Sequence, residues 1–274
     1  MSIMRPHPPQ ELLIINSPRR YIEGRILLHG VMGNSQPVFN RLEVPSFGLA
    51  WLNLDDSTGD SVVLIPGGGG STKSGVRNQI QIGRYLLGDS RGGFEFLKSY
   101  ETDVDDKSIL CSGVAVGTCM GTKVVCIFLD DHCAILTVNV LGNEMILKRV
   151  VDFQADFSED GSVNCACILP SGHIVTGGDD GICRLWAVGF ITDKDSDSKD
   201  KIWRVRLLNK MEGHSSAIMD ISHHPNDALV STLDDSIQDN NNLTMQYYYV
   251  DYAEIYNTDQ PRIVQISTML EKHP

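Results

Sequence analysis

Val163-Asn164-Cys165-Ala166-Cys167-Ile168-Leu169-Pro170-Ser171-Gly172-His173-Ile174-Val175-Thr176-Gly177-Gly178-Asp179-Asp180 lies without a gap over Ile218-Met219-Asp220-Ile221-Ser222-His223-His224-Pro225-Asn226-Asp227-Ala228-Leu229-Val230-Ser231-Thr232-Leu233-Asp234-Asp235, at a constant offset of 55 residues. Each copy reads as an apolar or alternating run, a proline-containing polar turn, a second run and an Asp-Asp pair. Alternation places successive side chains on opposite faces, so each copy predicts two short strands joined by a tight turn. Self-similarity at a fixed period is the mark of a repeat architecture.

The first copy runs on through Gly181-Ile182-Cys183-Arg184-Leu185-Trp186. Thr176 to Trp186 resembles the end of a WD-repeat blade, with Asp180 on the buried turn aspartate and Trp186 on the tryptophan. Gly213-His214 resembles the pair that opens a blade. Blades of this kind repeat about every 40 to 45 residues. The excess here is accounted for by Asp193-Lys194-Asp195-Ser196-Asp197-Ser198-Lys199-Asp200-Lys201, a polar insert expected to be a solvated loop. A tight turn needs its backbone donors satisfied, and an Asp carboxylate and a His can do this across one blade. Asp180, Asp235 and His214 are therefore expected to be structural rather than catalytic. Asp105-Asp106, Asp130-Asp131 and Asp234-Asp235 also fall at strand ends or turns, where Asp is favoured. His223 and His224 beside Asp220 precede Pro225, and a turn explains them better than a metal site.

Further strands are expected at Phe47–Leu52, Ser61–Ile65, Asn78–Ile82, Val114–Gly117, Lys123–Leu129 and Cys133–Val138, with no long helical period competing. The expected fold is all-β, a WD-repeat β-propeller with about four blades over residues 44–238. Residues 1–43, with Pro6, Pro8 and Pro9, read as an N-terminal extension. Residues 239–274 read as an atypical tail, because Gln238-Asp239-Asn240-Asn241-Asn242 and Tyr247-Tyr248-Tyr249 replace the apolar strand and tryptophan that should end a blade.

Between the second and third of these strands lies Pro66-Gly67-Gly68-Gly69-Gly70-Ser71-Thr72-Lys73-Ser74-Gly75-Val76-Arg77-Asn78. Glycines let another backbone or a ligand come close, but they lose the most chain entropy on ordering, so something must hold such a tract. Three readings stand. The stretch can be a flexible hairpin tip. It can be a phosphate-binding loop, since Gly67 to Ser74 is one residue away from G-x-x-x-x-G-K-[ST]. Against this, Thr72 replaces the second glycine, and the period-two run Gln79-Ile80-Gln81-Ile82 follows where a helix is required.

The third reading is a resemblance. G-G-G-G-x-x-K-x-G-x-x-N between two strands is similar to the first-blade loop of the WD-repeat guanine-nucleotide exchange factors for the Sar-family GTPase at the endoplasmic reticulum (the prolactin regulatory element-binding protein family). Gly67, Gly68, Gly69, Gly70, Lys73, Gly75 and Asn78 fall on the pattern, and Phe47-Gly48-Leu49-Ala50-Trp51 resembles the family's opening strand. The resemblance implies a seven-bladed propeller followed by a membrane anchor. About three blades and the anchor have no counterpart in this chain, so the expectation is either a protein that closes differently or a truncated or misassembled product; four blades of a seven-blade ring would leave open sheet edges and an exposed flank. It also implies exchange on a Sar-like small GTPase for COPII coat assembly, at the cytoplasmic face of the endoplasmic reticulum and without covalent chemistry. A potassium ion held by carbonyl oxygens of Gly67, Gly68, Gly69 and Gly70 is implied as cofactor, and Asn78 as the exchange residue. Asn78 is expected to point out of the blade toward the partner, so that its removal would cost the fold no more than about ±0.5 kcal/mol, as at other surface positions. The alternative function is a WD-repeat scaffold without exchange activity.

The chain has 274 residues, is 42% hydrophobic and 21% charged, and carries a net charge of −12. That acidity argues against nucleic acid as a partner and favours a basic protein face. No apolar run approaches the ~18 residues of a membrane span, so membrane association is expected only through a segment outside this chain. The seven cysteines include no C-x-x-C pair and are expected to be buried, reduced thiols, with Cys165 and Cys167 on one face of a strand.

Overall fold

A computed structural model of the chain describes residues 25–27, 39–42, 44–55, 60–70, 74–86, 93–103, 108–141, 144–192, 201–223, 229–234, 242–251 and 262–272. The Asp193–Asp200 part of the polar insert, Lys73, Asp105, Asp106, His224 and Asp235 lie outside the described residues. Strands β1 (Arg25–Leu27) and β2 (Phe39–Arg41) pair with each other. The rest forms four antiparallel four-stranded sheets, each with its strands side by side in chain order. The first sheet holds β3 (Ala50–Asp55), β4 (Asp60–Gly67), β5 (Gln79–Leu86) and β6 (Gly93–Glu101). The second holds β7 (Cys111–Cys119), β8 (Thr122–Leu129), β9 (His132–Leu141) and β10 (Glu144–Gln154). The third holds β11 (Val163–Ile168), β12 (Ile174–Gly178), β13 (Cys183–Thr192) and β14 (Lys201–Met211). The fourth holds β15 (Ile218–His223), β16 (Leu229–Asp234), β17 (Asn242–Asp251) and β18 (Arg262–Lys272). These are four blades of a propeller-type all-β fold, packed in series. Among the described residues no helix is long and apolar enough to cross a membrane.

The repeat is visible in the register. In the third sheet the pairing slips between Val163 and Cys165, and in the fourth between Ile218 and Asp220, again 55 residues apart. The second sheet slips at the equivalent place, between Cys111 and Gly113. One boundary must be corrected. The segment 239–274, read as an atypical tail, supplies β17 and β18, which complete the fourth sheet. The run from Leu243 to Val250, with Thr244, three successive tyrosines and Val250, suits a pleated strand although the blade-ending tryptophan is missing.

Cores lie between the sheets. In β8 the residues Val124, Cys126 and Phe128 pack with Ile168, Ile174 and Trp186 of the third sheet. The alternate residues Val125, Ile127 and Leu129 pack with Leu52, Val62, Leu64, Ile80 and Ile82 of the first. A second-sheet strand is thus apolar on both faces, as its uninterrupted hydrophobic run implies. Between the third and fourth sheets Cys165, Cys167, Leu185 and Ile218 form a further core. All seven cysteines are buried thiols, and burial pushes Cys111 and Cys119 up to about 12, where they act as packing groups. On the far face of the first sheet, Trp51 and Phe96 remain 42% and 46% exposed.

The third sheet is closed at one end by a polar cluster. Asp180 Oδ1 accepts hydrogen bonds from Ile182 N at 3.0 Å and Arg184 Nη1 at 3.1 Å. Asp180 Oδ2 accepts from Arg184 Nη2 at 2.5 Å and Phe157 N at 3.3 Å. Asp156 Oδ2 accepts from Asp180 N at 3.0 Å, and Trp186 Nε1 donates to Thr176 Oγ1 at 2.9 Å. The structural role expected of Asp180 therefore holds. Arg184 is 2% exposed and Asp180 11%, so the pair is desolvated. Burial pushes the Asp180 carboxyl up, but the Arg184 hydrogen bonds and charge and the Ile182 and Phe157 amides outweigh it and hold the group below its ordinary 3.8.

Replacing Asp180 by Ala leaves the Arg184 guanidinium buried without its anion, and is expected to cost roughly 3 kcal/mol or more of stability. The native fold favours the ionised carboxylate. The stabilisation is therefore complete above the ordinary carboxylate range and is lost as pH falls below it. Urea midpoints of the wild type and the Asp180→Ala chain should differ most near neutrality and converge in acid; a gap that stays constant down to pH 2 would contradict this assignment.

Candidate functional site

The glycine stretch sits where β4 hands over to β5. Gly67 is the last residue of β4 and pairs with Gln79. Its other edge meets the segment before β3, where Ser46 bridges to Gly67, Phe47 N donates to Pro66 O at 3.0 Å and Gly68 N donates to Pro45 O at 3.0 Å. A Cβ on Gly67 would sit 2.0 Å from the Pro45 carbonyl oxygen, and one on Gly68 would sit 2.2 Å from Asn78 Oδ1. The first two glycines are thus dictated by close approach of other chain segments. Gly70 and Gly75 have φ of 76° and 68°, with nothing within 4 Å of an added Cβ. Those two are set by backbone conformation and face open space. The helix that a phosphate-binding loop requires is absent: Gln79–Leu86 is strand β5.

Asn78 is placed differently from the expectation. It is 0% exposed and turned into the loop, not out toward a partner. Its Oδ1 accepts from Gly70 N at 2.9 Å. Its Nδ2 donates to Gly70 O at 3.4 Å, to Asp103 Oδ1 at 3.0 Å and to Ser108 Oγ at 2.8 Å. The reason is physical: the glycine limb exposes backbone polar groups that need partners, and the amide of Asn78 can donate and accept at once to the N–H and C=O of Gly70. Ser74 Oγ accepts from Val76 N at 3.2 Å, and exposed Arg77 pairs with Glu101 at 2.5 Å. Gly67, Gly68, Gly70 and Asn78 are thus brought into one cluster with Pro45, Asp103 and Ser108. The last three were missed because no local pattern links them to the glycines.

The same end of the sheets carries the turn at Asp130-Asp131, the 155–162 segment and the 179–182 turn, joined by Val163 N to Asp130 O at 2.7 Å and Asp179 N to Ser162 O at 3.0 Å. Asp130, Glu159, Asp160 and Asp179 are exposed there. Partial desolvation by neighbouring chain, with Asp131 beside it, raises the Asp130 carboxyl above its ordinary value although the residue is exposed. Among the described residues no cluster of three His, Cys, Asp or Glu side chains is placed to hold a metal ion.

Two segments of the chain, residues 151–187 and 205–238, match the family described as WD domain, G-beta repeat. The first runs from the end of β10 through β11 and β12 into β13, and the second from β14 through β15 and β16, so these two segments carry the WD40-repeat pattern. Among solved structures it is similar to Sqt1 from Chaetomium thermophilum, at 13% identity and a TM-score of 0.47, covering 76% of this chain and 43% of that one. It is also similar to a chain in the structure of an active polycomb repressive complex 2 in the basal state, at 14% identity and a TM-score of 0.47, covering 74% and 37%. The chain thus spans less than half the length of either. None of the curated proteins compared with it matches.

Replacing Asn78 by Ala is expected to leave the Gly70 N–H without its acceptor and to destabilise the fold by roughly 1–3 kcal/mol, as for other buried hydrogen-bonded groups. Equilibrium urea denaturation reads this directly. A loss below about 0.5 kcal/mol, the surface range, would show that the amide is dispensable to the fold.

Proposed function

We propose that the chain binds a Sar-like small GTPase through the Gly67–Asn78 loop and promotes release of its guanine nucleotide, serving COPII coat assembly and export from the endoplasmic reticulum. The observation that carries this reading is a glycine-rich loop closed by its own asparagine, in a stretch whose residues fall on the pattern of the Sar exchange factors. The Gly67–Gly70 limb, already held by Pro45 and Asn78, loses little conformational entropy on docking, which leaves more of the contact energy for the partner. The acidic turns at the same end of the sheets suit a partner with a basic face.

No covalent step is required of an exchange factor. It binds the nucleotide-free GTPase better than the loaded one, and by linkage nucleotide weakens its binding by the same factor. The part played by this chain is to present the Gly67–Gly70 backbone in one conformation. The donor set also fits a potassium ion. Carbonyl oxygens of Gly67, Gly68, Gly69 and Gly70 are hard, neutral ligands, and the Gly70 carbonyl keeps a lone pair beyond its long 3.4 Å contact with Asn78. When bound, such an ion would add local positive charge and rigidity to the loop. A WD-repeat scaffold without exchange activity remains the second reading, and the inward amide of Asn78 favours it at that position.

Release of a labelled guanine nucleotide from a Sar-like GTPase, with and without the chain, tests the proposal. Acceleration that is greater in potassium than in lithium is expected. Release at the intrinsic rate, with the chain folded and in excess, would leave the scaffold reading.

A further inference from the structure

The Asn78 amide has two ends of nearly equal size, and something must determine which faces Gly70. On one side stand the Gly70 N–H, which calls for the amide oxygen, and the Gly70 C=O, which calls for the NH2; a glycine limb that turns its peptides can exchange the two, so this pair alone does not fix the amide. Ser108 Oγ, 2.8 Å from Nδ2, cannot decide, because a hydroxyl both donates and accepts. Asp103 can. A carboxylate only accepts, and Asp103 Oδ1 lies 3.0 Å from the amide, so the end facing it must be the NH2. The oxygen is then left for Gly70 N at 2.9 Å.

Asp103 is itself fixed. Its Oδ1 also accepts from Ile109 N at 3.0 Å, Thr102 Oγ1 donates to Ile109 O at 3.0 Å, and Thr102 N donates to Asn78 O at 3.1 Å. The neck of the segment between β6 and β7 is thereby closed by Thr102, Asp103 and Ile109 and tied to Asn78 through both backbone and side chain. We propose that Asp103 is a positioning residue: it sets the orientation of the Asn78 amide and, through it, the conformation of the Gly68–Gly70 limb, so that limb is held in place from the neck of the connection between β6 and β7. The functional consequence rests on the exchange reading above; the positioning itself does not.

A donor–acceptor swap tests it in the full chain. Asn78→Asp sets two carboxylates against each other and should speed hydrogen exchange of the Gly70 amide about tenfold or more, the change that loss of one buried hydrogen bond gives. Adding Asp103→Asn removes the charge repulsion and restores a donor facing an acceptor, at the cost of the bond that Oδ1 accepts from Ile109 N, and should slow Gly70 exchange by about threefold or more relative to Asn78→Asp alone, the size of a recovered half-kilocalorie. Asp103→Ala alone, which retains the native asparagine, should also speed Gly70 exchange. Nucleotide release from the Sar-like GTPase is read on the same chains and is expected to follow Gly70 protection. A double variant no better protected than Asn78→Asp, or Asp103→Ala with wild-type protection, overturns the positioning role even if the wild type accelerates release. Rescue of Gly70 protection in chains that never accelerate release supports the positioning role and removes the exchange reading.

Discussion

The constraint on which the rest of this structure depends is that a sheet apolar on both faces must be covered on both. The second sheet shows it most plainly. Along β8, successive residues from Val124 to Leu129 are buried alternately against the third and the first sheet. Neither face could meet water without exposing several large side chains, each worth about 1.5–3 kcal/mol of burial. Packing in series follows, and with it the location of the functional candidates. Face-to-face stacking consumes the sheet surfaces and leaves the strand ends and their connecting loops as the variable surface.

Stacking alone does not close a turn. Where β12 meets β13, the carboxylate of Asp156 and the guanidinium of Arg184 are buried and must be satisfied together with the backbone of the turn. Asp156, Asp180, Arg184 and the backbone around them meet that demand together. Arg184 also lies 4.8 Å from the ring centre of Phe157, so its guanidinium is bounded by an anion on one side and a π face on another. At the glycine loop Asn78 meets the same demand with a neutral amide. The two ends of the chain's clearest motifs, Asp180 and Asn78, are thus both residues that satisfy a tight connection from within.

Much of this was legible in the sequence because it is local. The 55-residue offset, the alternating runs and the turn aspartate Asp180 involve residues within about one strand-turn-strand unit, and the register slips at Val163/Cys165 and Ile218/Asp220 repeat at that same offset. The burial of Arg184 was not legible: a charged residue in an alternating run reads as solvent-facing until its pairing with Asp180 across the turn is known. β17 and β18 were missed because their Tyr, Thr and Gln residues carry strand propensity without the apolar alternation of the earlier blades. The orientation of Asn78 was missed for a further reason. Its decisive partners, Asp103 and Ser108, lie 25 and 30 residues away, and only the pairing of β5 with β6 brings them alongside.

That orientation changes how the loop can recognise anything. A side chain with Gly70, Asp103 and Ser108 as partners cannot turn outward without leaving them unsatisfied, at about 1–3 kcal/mol for each buried group left behind. A partner would have to replace all of them to draw the amide out. The groups that remain available are backbone ones. Gly70 and Gly75 present bare Cα positions to open space, and Arg77 stands exposed beside them. Four consecutive glycines make an unusually mobile tract in the unfolded chain, so a single ordered conformation requires contacts strong enough to offset that entropy. The Asn78 hydrogen bonds and the Pro45 contact supply them from inside the loop. In the proposed docking a partner would meet the Gly67–Gly70 backbone in a fixed shape, and its discrimination would come from steric fit and from N–H and C=O direction. On this view the asparagine contributes to recognition without touching the partner, and glycine is required where any side chain would stand between the partner and the loop backbone.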